Sequence, residues 1–388
     1  METAGMQMMR ILRAEVCRDF SAADALRNRT EEEWMAVCRL AKRHDLLHLV
    51  GDYIIRMGLL PDGKLRSALE REVCTAVYRS QQLEETLSAA CAALDAARIP
   101  YLPLKGSVLR VAYPEPWMRI GCDVDLLVHE ADLVVAEEAL VSAGFSGRGK
   151  KTHDVAFLSP AGFPLELHYQ LMNEEINKAA ERILQSVWER AERSAPESFR
   201  YTLPDPMFYY YHVAHMAKHY VFGGCGVRPF LDLWILNHNS QADSEARNRL
   251  LSEGGLLRFA AASTELSEVW FGSSGHTPLT AQMEEFLLHA GVYGNVRNSV
   301  AAQQAKKGSR TRYAISRIFL PYSTMRVYYP VLDRHKWLLP ICQIRRWFRL
   351  LVHGEAGRGV SELKTNQSIP KNERRRTARM LSELGLDH

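Results

Sequence analysis

Apolar residues recur at helical spacing from Glu31 to Leu60, through Trp34, Leu46, Leu47, Tyr53, Ile54 and Ile55, until Leu59-Leu60-Pro61-Asp62-Gly63 supplies a turn. A second run from Lys64 to Ala97 keeps three- and four-residue steps through Leu83, Leu87, Ala90 and Leu94. It predicts one long scaffold helix. The period then shortens to two. Tyr101 to Leu104 reads as a strand, Lys105-Gly106-Ser107 as a turn into a short helix, and Arg119 to Val128 as a second strand. Glu130 to Ala143 is helical, with Gly144-Phe145 as its stop. Val155–Ser159 and Leu165–Leu171 read as a hairpin across Pro160-Ala161-Gly162-Phe163-Pro164.

From Glu174 onward the pattern is almost entirely helical. Glu174 to Glu192 is amphipathic and Phe199 to Leu203 is a short extended piece. Asp205-Pro206 places a cap and a first-turn proline before a helix running through Tyr220. Gly223-Gly224-Cys225-Gly226 reads as a flexible break, and further helices fill Leu250 to Val352. The tail beyond Gly357 is polar, and Lys371 to Arg379 is a basic run read as disordered or as a short solvated helix. The expectation is an α+β protein. A helical scaffold (1–97) precedes a small mixed sheet flanked by helices (98–195), a helical C-terminal domain (196–355) and a polar basic tail (356–388).

Composition adds little to this. With 388 residues, 47% of them hydrophobic and 24% charged, the protein has enough apolar material for more than one core. A net charge of +4 is too small for a general nucleic-acid binder, although arginine and lysine crowd after residue 305. Seven cysteines stand singly without a CxxC pair, which argues against a disulfide framework or a zinc site and for a reducing compartment. The start METAGMQMMRILRAEV lacks the apolar run of a signal peptide, and no stretch is long enough to span a bilayer, so a cytoplasmic location is expected.

Chemistry concentrates between residues 101 and 128. Side chains two apart on a strand share a face, so Asp123 and Asp125 are expected to project together. Carboxylates held that close need a cation, and Mg²⁺ or Mn²⁺ fits because such ions take one or two carboxylates and leave other positions to water and phosphate. A Gly106-Ser107 bend opening a helix aims donors at an anion. Farther along, His212, His215 and His219 share a stripe, but they span roughly 10 Å at 1.5 Å per residue, too far for one metal ion. His215-Met216-Ala217-Lys218-His219 lacks the glutamate of a zinc-protease helix. Arg228 and Asp232, four apart, suit an ion pair. The aromatic and basic residues from Trp337 to Phe348 read as core and helix packing rather than as a membrane or RNA platform.

A glycine-serine turn after a strand, followed by Asp-x-Asp on the next, resembles the DNA polymerase β-like nucleotidyltransferase superfamily. The LKGS turn, the Arg119–Val128 strand, the Leu165-Glu166-Leu167-His168 strand and the HMAKHY…VRPFLDL block together resemble the bacterial uncharacterised nucleotidyltransferase family over residues 30 to 350. The resemblance implies a polymerase β-like sheet and transfer of a nucleoside monophosphate from an NTP to an acceptor hydroxyl. It also implies Asp123, Asp125 and Glu166 as metal-binding and catalytic residues, with Lys105, Gly106, Ser107 and Arg119 on the triphosphate. Substrate-side candidates are His168, His215, His219, Arg228 and Asp232. The acceptor, whether a small molecule, a protein side chain or tRNA, is left open.

Two rival classes stand beside this reading. One is a nucleotide-binding regulatory or partner-binding module without turnover. The other is an RNA-binding protein using Lys371–Arg379 and Arg345-Arg346-Trp347. Gly357-Arg358-Gly359 lacks the third glycine of a dinucleotide fold, Lys364-Thr365 lacks the glycine of a P-loop, and the catalytic loop of a protein kinase is missing.

Overall fold

In the computed structural model, which describes residues 3–21, 26, 29–150, 153–171, 176–239, 242–292, 294–352 and 356–387, stop signals divide the N-terminal stripes into helices Ala4–Val16, Glu31–Arg43, Leu47–Arg56 and Lys64–Ala96. Thr30 and Glu33 form a reciprocal cap at the second of these: the Glu33 N–H donates to Thr30 Oγ1 at 3.3 Å and the Thr30 N–H donates to Glu33 at 2.9 Å. That helix ends where Asp45 adopts a left-handed φ of 56°. The long helix behaves as its period predicts, burying Leu83, Leu87, Ala90 and Leu94.

Those residues back a five-stranded sheet made of β1 (Tyr101–Pro103), β2 (Val124–Val128), β3 (Ser146–Lys150), β4 (Asp154–Leu158) and β5 (Pro164–His168). Its spatial order is β1-β2-β5-β4-β3. The β2–β5 pair is parallel and the other pairs are antiparallel, which makes the sheet mixed. The hairpin expected from residues 155–171 is present as β4 and β5, and it lies beside β2. Strand β3 has no counterpart in the sequence reading. Its Ser-Gly-Arg-Gly-Lys carries no apolar alternation, and it is held at the sheet edge by backbone pairing to β4 with an irregularity between Gly147 and Gly149.

The period of two sorts the sheet into unlike faces. Val124, Leu126, Val128, Leu165, Leu167, Val155 and Phe157 form one core with Leu83, Leu87 and Leu94 of the long helix and Leu140 of the helix Leu133–Ser142. Leu102, Leu104 and Leu127 instead join a larger core with the N-terminal helices and with Tyr211, Val213 and Met216 of the helix Asp205–Val221. Asp125, Glu166 and His168 alternate with the first set and therefore lie on this second face.

Beyond the sheet the polypeptide is helical, with four amendments to the sequence reading. The start expected at Glu174 lies outside the described residues; the run continues as Lys178–Gln185 and Val187–Arg190, and Glu192–Arg193 then leaves the helix to pair with Tyr201–Thr202. Gly223 to Gly226 is a close-packed turn and not a flexible break: φ is +119° at Gly223 and +71° at Gly226, where a Cβ would meet Asn295 O at 2.8 Å and Val292 Cα at 2.9 Å. The basic run after Lys371 belongs to the helix Lys371–Glu383, which docks because Met380 and Leu381 give it a buried face. Finally, Trp337, Ile341, Ile344 and Phe348 are exposed rather than packed. The helix Leu339–Val352 buries Cys342 and Gln343 on its other side instead. No helix among the described residues is long and apolar enough to cross a membrane.

Candidate active site

The parallel pairing of β2 with β5 sets Asp125 directly across from Glu166. Asp123 sits one residue before β2 begins, so it reaches the same opening from a bend and not from the strand itself. The two aspartates, Glu166, Lys105 and Gly106 line a cavity of about 310 Å³ whose opposite wall includes Phe208, Tyr211, His215 and His219. Sheet chemistry therefore faces the helix Asp205–Val221 across the cavity.

Asp125 is buried, and its Oδ1 accepts from Lys105 Nζ at 2.9 Å and from His168 Nε2 at 2.8 Å. Burial alone would raise its pKa, yet the Lys105 ammonium and the bond from His168 hold the carboxyl well below the usual range. Asp123 moves the other way, because burial and the charges of Asp125 and Glu166 outweigh Lys105. The pair thus holds more negative charge than its neighbours neutralise. Lys105 is kept protonated by Asp125 despite its burial, and it adopts a left-handed φ of 46° that turns the backbone into the bend.

The bend is partly closed on itself. The Ser107 N–H donates to Leu104 O at 3.1 Å and the Val108 N–H to Lys105 O at 3.1 Å. Of its backbone it is Gly106, at the cavity wall, that remains to face a ligand. The Ser107 hydroxyl, expected on the phosphates, is buried without a hydrogen-bond partner among the described residues and is not part of the cavity lining.

Arg119 also lines the cavity, with Nη1 beside Gly106, while the rest of its guanidinium edge is engaged by Asp232. Its Nε donates to Asp232 Oδ1 at 2.7 Å and its Nη2 to Oδ2 at 2.9 Å, while the Tyr113 hydroxyl donates to Oδ1 at 2.7 Å. This bidentate pair clamps the loop ahead of β2 to the helix Arg228–Asn237. It also overturns the ion pair expected between Arg228 and Asp232. Arg228 stands at the first position of its helix and reaches back to the Asp45 carboxylate and to Asp45 O at 3.2 Å. Asp45 lines the cavity and was invisible to sequence reasoning, since its only local mark is the break between two helices.

His215 and His219 contact each other through their Nε2 atoms at 3.2 Å. Burial, reinforced by Lys105 and His219, pushes His215 well below the usual imidazole range, and His219 falls to about 4 through burial and the nearby Lys218 and Lys105. Both are neutral at pH 7. His212 also lines the cavity, but its Nε2 is bonded to Pro229 O at 3.0 Å and not to the His215–His219 pair.

As a test for a divalent ion, Asp123, Asp125 and Glu166 offer hard carboxylate oxygens at one cavity. Among the described residues, however, the donor atoms that converge there, within 4.8 Å of one another, are those of Asp125, Glu166 and His168, without Asp123. His168 was expected on the substrate side, but its bond to Asp125 makes it part of the carboxylate cluster.

A family model described as an uncharacterised nucleotidyltransferase matches residues 30–272. The match ends short of the residue 350 to which the motif resemblance extends. No curated protein and no solved structure matches the sequence.

Proposed function

The chain belongs to the uncharacterised nucleotidyltransferase family, and on that premise we propose a polymerase β-like reaction that moves a nucleoside monophosphate from an NTP to an acceptor hydroxyl. The observation that carries this reading is the Asp125–Glu166 pair across β2 and β5, opening with Asp123 and Gly106 into one cavity. Asp123, Asp125 and Glu166 would hold Mg²⁺ or Mn²⁺, which when bound offsets triphosphate charge and polarises the reacting oxygens.

The protein's own residues do the rest. Gly106 offers its N–H to the phosphates, Ser107 supports the bend from behind it, and Lys105 supplies positive charge beside them. Glu166 orients the acceptor hydroxyl and takes its proton as that oxygen bonds to the α-phosphorus. The bond from the α-phosphorus to the bridging oxygen breaks, and pyrophosphate leaves. His168 fixes the rotamer of Asp125. Arg119 positions the loop before β2 through the Nε and Nη2 bonds to Asp232, and its Nη1 lies next to Gly106. The neutral His215 and His219 wall the acceptor side.

Pyrophosphate release from each NTP with Mg²⁺, measured on the full-length protein, tests this. Asp123→Asn with Asp125→Asn should lower the rate by roughly 100-fold or more, the scale on which charge-stabilising groups act, while circular dichroism stays unchanged. Undiminished release by that variant would remove the mechanism. Tight NTP binding without release by the native protein would favour a binding module instead.

A further inference from the structure

Residues 310–350 carry nine arginines and lysines against one carboxylate, Asp333, whereas the whole protein is only +4. The segment is also where apolar side groups come to the surface. Among the described residues, nine of the 22 exposed large hydrophobics fall between Ile315 and Phe348, including Trp337 at 71%, Phe348 at 65% and Ile341 at 57% exposure. A segment that brings so many large apolar side groups to the surface is a candidate interaction site. The segment lies outside the family match and contributes nothing to the cavity wall.

The helix Leu339–Val352 shows how the two features are arranged. Its inner side is anchored: the Trp347 indole N–H donates to Ile318 O at 3.0 Å and Arg346 donates to Ile318 O at 3.0 Å, while Cys342 is buried with Met325 and Leu332. At 3.6 residues per turn, Ile341, Ile344 and Phe348 fall within an arc of about 60° on the outer side, and Arg345 and Arg349 run along one edge of that arc. Both arginines lie over tyrosines, Arg345 6.0 Å from the Tyr329 ring and Arg349 6.0 Å from the Tyr328 ring. Among the described residues neither is paired with a carboxylate.

We propose that this face docks the protein on the surface of an anionic lipid bilayer, with Trp337, Ile341, Ile344 and Phe348 entering the headgroup boundary and Arg345 and Arg349 meeting lipid phosphates. An apolar strip edged by long-stemmed cations is the design of an in-plane membrane helix. Aromatic residues such as Trp337 and Tyr328 suit the interfacial level. Two copies apposed through this face would bring like charges together. Single-stranded RNA recognition uses aromatic stacking and cations, and it would leave Ile341 and Ile344 in water. The inference is independent of the reaction assigned to the cavity.

Co-sedimentation of the full-length protein with phosphatidylcholine vesicles, and with vesicles partly replaced by phosphatidylglycerol, provides the test. Binding is expected to the anionic vesicles, with a blue shift in tryptophan emission that Trp337→Phe abolishes. Each arginine removed should weaken binding roughly fivefold, so Arg345→Gln with Arg349→Gln costs roughly 25-fold. Ile341→Ser with Phe348→Ser should release the protein even at low salt, with circular dichroism unchanged. Failure to bind anionic vesicles overturns the proposal. So does RNA binding that the arginine pair abolishes and the Ile341/Phe348 pair leaves intact, or a dimer that the apolar pair dissociates.

Discussion

Arg119 offers a test that separates a structural clamp from a phosphate ligand. Asp232 is 1% exposed, and the Arg119 side group 10%, and they are joined by two hydrogen bonds with Tyr113 adding a third. Replacing Asp232 with leucine strands a buried guanidinium, and breaking a buried pair in this way costs about 3–5 kcal/mol. Arg119→Met strands the carboxylate and should cost a similar amount. Both changes together leave neither charge behind, so the double variant should lose only about 0–2 kcal/mol. The expected coupling is therefore at least about 3 kcal/mol, far above the ~0.5 kcal/mol within which independent sites add. Urea unfolding followed by tryptophan fluorescence and by circular dichroism reads it directly. Activity supplies the second readout. If Arg119 works only by holding the loop ahead of β2, the double variant recovers most of the pyrophosphate release that either single variant loses. Additive stabilities, or a double variant that refolds well yet stays inactive, would refute the clamp and return Arg119 to the triphosphate.

Two further outcomes follow from buried charge. Glu15 is fully buried beside Arg56, and burial pushes its carboxyl up to about 7. Because the folded value lies above the unfolded one, the protonated form favours the fold: stability present below about pH 4.5 is lost as pH rises through about 7. Glu15→Gln should remove that slope and leave the variant more stable at pH 8 by up to about 3 kcal/mol, as chemical denaturation at pH 5 and pH 8 would show; parallel pH profiles would refute it. Lys105→Met removes a cation bonded to Asp125. If metal and ammonium share that carboxylate's charge, Mg²⁺ should raise the melting temperature of the variant more than that of the native protein, and equal increments in a thermal-shift assay would dispose of the idea.

How much of this was legible in the sequence depends on the distance over which each feature is encoded. The turn at Gly106, the strand after it and the Leu165–His168 strand are local: a period of two places Val124, Leu126, Leu165 and Leu167 on one face and leaves Asp125, Glu166 and His168 on the other. Only the pairing of β2 with β5 had to be supplied by the fold. Bonds from Arg119 to Asp232 and from Arg228 to Asp45 join residues 113 and 183 positions apart. No local pattern marks either one, and the i, i+4 rule pointed Arg228 at the wrong carboxylate. Strand β3 failed for the opposite reason, since backbone pairing alone holds it and its residues carry no alternation.

The helix Leu339–Val352 marks a different boundary. Its mix of aromatic and basic residues read as core and helix packing, because apolar residues at helical spacing report that a stripe exists and not what lies against it. Cys342 and Ile341 are neighbours of similar hydrophobic character, and one is buried while the other is 57% exposed. What separates the two sides is charge. Buried faces exclude unpaired arginines because desolvating a guanidinium without a partner is costly, so Arg345 and Arg349 beside Ile341, Ile344 and Phe348 are incompatible with ordinary core packing on that side. Such a stripe belongs against a medium that accepts hydrocarbon and cations together, and an anionic bilayer surface is one.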